Sequence, residues 1–164
     1  MPARRTLLLN ALLLALLASG YAWYTVRHGR TPMPPAIVVR TIVPLSDDYT
    51  VFLDTGRGFS PELAVVLPVE PSSEEVVLEF PLKLKGAQLA GVRFDPGDKA
   101  EVVPVRSISL RGPLDELTLL DANGAAYFTE RHNLSLDTAN SGRLRLGVSG
   151  VDPWIATRGD LRGI

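Results

Sequence analysis

Leu89–Arg111 reads LAGVRFDPGDKAEVVPVRSISLR, and its internal pattern decides the fold class. Two runs rich in β-branched and aromatic residues, Leu89–Asp95 and Glu101–Arg111, flank Pro96-Gly97-Asp98-Lys99, whose proline, glycine and aspartate favour a turn. In the second run Val105, Ser107, Ser109 and Arg111 fall on one face of an extended chain, and Arg106, Ile108 and Leu110 on the other. Such a period of two, with Ile108 and Leu110 turned inward, predicts a half-buried strand.

The same texture continues on both sides. Ile37–Pro44, Tyr49–Asp54, Glu62–Val69 and Glu74–Lys85 precede this pair, and Leu114–Leu120 follows it. Asp121-Ala122-Asn123-Gly124 then ends in Asn-Gly, a hairpin signal, so Ala125–Thr129 is expected as the return strand. Leu134–Asp137 and Arg143–Val148 complete the set around the polar loop Thr138–Gly142. No stretch beyond residue 31 keeps a helical apolar repeat for three turns. Short strands separated by turn residues, in a chain with 13 prolines and 14 glycines, predict an all-β fold. The expectation is an antiparallel β-sandwich over residues 37–158, with 159–164 as a C-terminal tail.

Ahead of it, Met1–Arg5 is short and basic, and Thr6–Val26 is almost wholly apolar. About 20 such residues suffice to cross the hydrocarbon core as a helix. Trp23 and Tyr24, then Arg27 and Arg30, are placed as interfacial aromatics and cations are. A cleaved secretory signal is the competing reading, with Leu7–Leu17 as its apolar core and Ala18, Ser19, Gly20 and Ala22 near the cleavage point. The organisation expected is an N-terminal transmembrane helix within residues 1–30, a stiff proline-rich spacer at 31–36 (TPMPPA), and the sandwich outside the cytoplasm.

Charge and composition exclude several functions. Arg4, Arg5, Arg27 and Arg30 are four of the 17 basic residues, and no acidic residue precedes Asp47. Beyond residue 30 the remaining 13 therefore face all 18 acidic residues, a poor balance for binding nucleic acid. With no cysteine, disulfides, thiolate zinc sites and a cysteine nucleophile are excluded. His28 and His132 are the only histidines, too few for a multi-histidine metal centre.

Leu53–Glu62 (LDTGRGFSPE) contains Asp-Thr-Gly, the loop with which aspartic proteases present a catalytic carboxylate. That chemistry needs two carboxylates sharing one proton. A chain of this length supplies one half-site, and Arg57 beside it would favour the ionised pair. Arg145-Leu146-Gly147 is a poor match to the later apolar-apolar-Gly strand such proteins use. Asp54 is instead expected to organise a turn through its side-chain oxygen, with Gly56 and Gly58 giving a permissive backbone, and Asp95 to cap the turn leading to Glu101. No catalytic residue is assigned; a dimeric retropepsin-like protease using Asp54 is the remote alternative.

Phe52–Phe59 (FLDTGRGF), Phe80-Pro81-Leu82, Val92–Pro96 (VRFDP), Ile108-Ser109-Leu110 and Gly150–Ile155 (GVDPWI) recur elsewhere in this order. Across roughly residues 49–155 the chain thereby resembles the extracytoplasmic β-sandwich modules attached to bacterial cell-surface glycosyltransferases. The resemblance implies a jelly-roll, galactose-binding-like fold and a non-catalytic, membrane-anchored accessory role in cell-envelope polysaccharide assembly. It places the domain on the periplasmic side of a bacterial inner membrane. The partner would be a glycan or, as the alternative, a membrane glycosyltransferase that the domain scaffolds. Sugar recognition wants an aromatic platform and planar polar groups, which selects Trp154, Tyr127, Asp152, Arg143 and Arg145 as candidate ligand-binding residues. No cofactor is expected, although Asp47-Asp48 supplies hard oxygen ligands of the kind a structural calcium takes.

Overall fold

The computed structural model describes residues 14–20, 23, 33–84, 86–123, 127–139, 143–157 and 161. Residues 14–20 are helical, and no helix among the described residues is long and apolar enough to cross a membrane. Most of the expected anchor at Thr6–Val26 lies outside the described residues. The chain divides into two units, residues 1–33 and 34–164, of which the second carries the strands.

Eleven strands form among the described residues: β1 (Ala36–Val43), β2 (Asp47–Asp54), β3 (Val65–Val69), β4 (Ser72–Pro81), β5 (Gly91–Asp95), β6 (Val102–Arg111), β7 (Glu116–Asp121), β8 (Phe128–His132), β9 (Leu134–Ala139), β10 (Arg143–Val148) and β11 (Trp154–Thr157). They build two antiparallel sheets. The first runs β4-β1-β6-β10-β9 with β7 also on β6, and the second runs β3-β2-β5-β11-β8. The two orders correspond. Each of the consecutive pairs β3–β4, β1–β2, β5–β6, β10–β11 and β8–β9 crosses from one sheet to the other, and the pairs stand in the same sequence in both. Five connections, at 44–46, 70–71, 96–101, 133 and 149–153, therefore gather as corners at one end of the sandwich.

The central strand β1 reads AIVVRTIV, an almost unbroken β-branched run, because both of its faces are covered. Ile37, Val39 and Val43 join the core. Val38 points the other way, with Glu79 and Ser109 as its cross-strand neighbours and an Arg111–Glu79 ion pair (2.5 and 2.7 Å) on the same face. That guanidinium holds the Glu79 carboxyl below the ordinary glutamate range. Between the sheets, Phe94 of β5 meets Tyr49 and Phe80 edge to face, with ring centroids 5.9 and 6.3 Å apart. Two prolines occupy tolerated places, Pro68 on edge strand β3 and Pro81 at the end of β4.

Two expectations are corrected. Asn123-Gly124 does not close a hairpin onto Ala125–Thr129: β8 lies in the second sheet against β11, so the chain after β7 changes sheets. The strand β11 is not among those anticipated from sequence, and it is the inner neighbour of both β5 and β8. The packed unit also takes in Ala36 at its start and Leu161 near its end, where Leu161 N–H donates to the Ala90 carbonyl and the side chain is buried.

Tyr49 brings its hydroxyl into this core with no hydrogen-bond partner, and burial, then the charge of Asp47, pushes its phenol far above the ordinary tyrosine range. An unsatisfied buried hydroxyl costs about 1–3 kcal/mol. Tyr49→Phe is therefore expected to keep or raise stability, by up to about 1 kcal/mol in urea unfolding. A loss above that figure would show that the hydroxyl is satisfied in solution.

Candidate functional site at the sandwich corners

The corners are latched to each other by short polar side chains. Asp47, just past the first corner, accepts from its neighbour Asp48 N–H (2.8 Å) through Oδ1 and from Lys99 N–H (3.0 Å) through Oδ2. The Lys99 ammonium donates to the Ser46 carbonyl (3.0 Å). Gly97 has φ +77°, and a Cβ there would stand 2.2 Å from Asp47 Oδ2, so backbone sign and close approach both demand glycine. On the other flank Asn133, a one-residue corner at φ 48°, donates its side-chain amide to the Val151 carbonyl (2.7 Å).

Between these latches opens a cleft of about 220 Å³ whose walls include Asp47, Asp48, Thr50, Asp95, Asp98 and Asp152. Among the described residues no group of three or more histidine or acidic side chains is gathered to hold a metal ion. Asp47, half of the proposed calcium pair, is committed to backbone donors and to the Lys99 ammonium 3.6 Å away.

Beside the cleft, the outer face of the second sheet carries a ladder of flat groups. The Arg93 guanidinium lies 4.9 Å from the ring centroids of both Phe52 and Trp154. His132 stacks on Trp154 at 5.7 Å. Strand register explains it, since Phe52 pairs with Arg93 and Trp154 with His132 across neighbouring strands. The guanidinium is held in place by two bonds to Asp95 (2.8 and 2.7 Å) and one to Asp152 (2.8 Å). Burial lifts the Asp95 carboxyl above the ordinary aspartate range, and the guanidinium opposes that without cancelling it. Asp152 adopts φ 54°, rare for a non-glycine residue, and stays 65% exposed while Oδ1 binds Arg93.

Of the five candidate ligand residues, the structure brings Asp152 and Trp154 together on the Arg93 guanidinium, with Asp152 on the cleft wall and Trp154 beside it. Tyr127 packs half-buried against the core, and Arg143 and Arg145 stand on β10 in the other sheet. Asp95 grips Arg93, while the backbone of the turn it was expected to cap is bound by Asp47. Asp54, at the far end of β2, accepts three backbone N–H groups, from Gly56 (2.6 Å), Arg57 (2.9 Å) and Gly58 (2.8 Å), all on Oδ1. Gly56 and Gly58 have φ +95° and +89°. Arg93, Phe52 and His132 were not anticipated as site residues. The signal for Arg93 was present: Arg-x-Asp on a strand puts both charges on one face.

No protein-family model matches the chain, and neither a curated protein nor a solved structure matches it.

Proposed function

We propose that the protein is a non-catalytic recognition module, tethered by its N-terminal apolar segment to the outer face of a bacterial inner membrane, that contacts glycan during cell-envelope assembly. The observation that carries this is the corner cleft beside the Trp154–His132 stack. Its carboxylates Asp48, Asp98 and Asp152 are exposed acceptors for sugar hydroxyls, and the exposed His132 ring offers a flat surface stacked on Trp154, two residues along from Asp152. The five strand pairs that wrap between sheets in a shared order support the finer jelly-roll, galactose-binding-like reading. The three backbone bonds on Asp54 support leaving it out of any catalytic role.

Calorimetric titration of the full-length protein in nanodiscs with neutral envelope oligosaccharides tests this. Saturable binding is expected, weakened about tenfold or more by Asp152→Ala with Asp48→Ala, since each hydrogen bond to a charged group contributes about 1.5–3 kcal/mol. Flat isotherms with the wild-type protein would remove the proposal.

A further inference from the structure

On the opposite sheet, β6 changes partner midway. Its edge pairs with β10 through residues 102–105 and with β7 through residues 107–111. The two partners diverge at Arg106, which is also the extra residue of a bulge: against β1, Arg40 faces Ser107 and the next residue, Thr41, faces Val105. Bulges re-aim side chains and are frequent beside functional sites. One prong of this fork starts at Arg143 of β10, and the other ends at Asp121 of β7. Against this fork opens a cleft of about 260 Å³ walled by Arg40, Arg106, Ser107, Thr118, Asp121 and Asn123.

The arginines here differ from those elsewhere in the domain. Arg93 and Arg111 hold their carboxylates at 2.5–2.8 Å. At the fork, Arg106 and Arg143 share the single oxygen Oε2 of Glu75 at 3.5 and 4.0 Å, and Arg40 stands 3.6 Å from Glu116. These separations exceed the roughly 2.7–2.9 Å of a charge-assisted hydrogen bond. Glu116 is further engaged by the Ser109 hydroxyl, and Asp121 by the Asn123 backbone N–H and side-chain amide. Three guanidiniums thus face Glu75, shared by Arg106 and Arg143, and Glu116, with the Asp121 carboxylate also on the cleft wall, and none of the three ion pairs reaches hydrogen-bond length. Arg106 and Arg143 remain 62% and 41% exposed.

We propose that the fork between β7 and β10 is a receptor for an oxyanion-bearing ligand. Arg106 on the cleft wall and Arg143 beside it, which now meet at Glu75, converge on its planar carboxylate or phosphate group, and Ser107, Thr118 and Asn123 of the wall meet its hydroxyls. Guanidinium forks match such groups two bonds at a time, which an ammonium does not. The fork belongs to the other sheet, so it stands whether or not the corner cleft binds glycan.

The test is NMR titration of the full-length protein in nanodiscs of neutral lipid, following arginine Nε and asparagine side-chain signals. Glucuronate, inorganic phosphate and glucose are the three probes. Saturable shifts of the Arg106, Arg143 and Asn123 signals with glucuronate or phosphate, and none with glucose, are expected. The stronger of the two anions identifies the source of the oxyanion, an acidic sugar or a phosphate group. Arg106→Gln and Arg143→Gln should each weaken binding about tenfold, and Arg57→Gln, the same charge change in the β2–β3 loop, should leave it unchanged. If Arg106→Gln disturbs the bulge, Arg143→Gln alone decides. No saturable shift with either anion, or an equal loss with Arg57→Gln, would overturn the proposal.

Discussion

Phe94→Ala is expected to remove about 4 kcal/mol of unfolding free energy, within the usual range for truncating a buried phenylalanine. Phe94 is fully buried at the centre of the second sheet, paired on one side with Val51 of β2 and on the other with Ile155 of β11. Its ring touches Phe80 of the first sheet and Tyr49 of its own, so it ties the two layers together. Backbone ladders on both flanks keep β5 from moving into the space a methyl group would leave. The cavity cannot collapse, and the cost stays near the full value. Against a total stability of about 5–15 kcal/mol for a domain, that is a large share. Urea midpoints of wild type, Phe94→Ala and Phe94→Leu measure it, with the leucine variant expected to lose less than half as much. An alanine cost under about 1 kcal/mol would mean that the sheets are held elsewhere.

Arg93→Met is expected to be mild in acid and severe at neutral pH. Methionine keeps an unbranched stem between Phe52 and Trp154, so the stack loses its charge more than its volume. Asp95, with a side chain only 15% exposed, loses the group that opposes its burial, and its carboxyl rises further above the ordinary aspartate range. Between the ordinary value and the raised one, the native state holds a proton that the unfolded chain has released. Stability therefore falls as pH rises through that window, by about 1.4 kcal/mol per unit. The variant should sit close to wild type at about pH 4 and about 2–3 kcal/mol below it at about pH 7. Urea unfolding across that range reads the slope directly. A deficit that is flat with pH would assign the loss to packing in the ladder and not to Asp95.

How much of this was legible in the sequence depended on whether the signal was local. The positions of β6 and β10 follow from apolar alternation, and the Asp54 loop from its glycines. Strict alternation, however, placed Arg106 on the inward face with Ile108 and Leu110 and turned Val105 outward. The structure buries Val105, and the bulge at Arg106 resets the phase between them. An arginine that strict alternation would bury in an apolar file was the clue, but only the pairing with β1 shows where the extra residue goes. The turn at Asn123 failed for a related reason. Asn-Gly chemistry favours a reversal, and it does not specify which sheet receives the next strand. The corner cleft was hardest to see, because Asp47 starts β2, Asp95 ends β5 and Asp152 sits in the connection before β11, far apart in sequence and neighbours only through the matched order of the sheets. Trp154 and Asp152 were found by residue type. Arg143 and Arg145 were grouped with them on the same grounds, although the fold sends that strand to the opposite face.

The position of β1 bears on how the domain would carry load. The proposed tether enters at Pro34 and continues into β1, which is hydrogen-bonded along both edges, to β4 and to β6. β1 runs from the tether toward the corner end, where the glycan contact is proposed. A pull between membrane and glycan would therefore act along the strand and shear both ladders together, instead of opening them one bond after another. Under such a pull the module would resist extension as a rivet does, failing late and all at once. A tether on the edge strand β3 would peel.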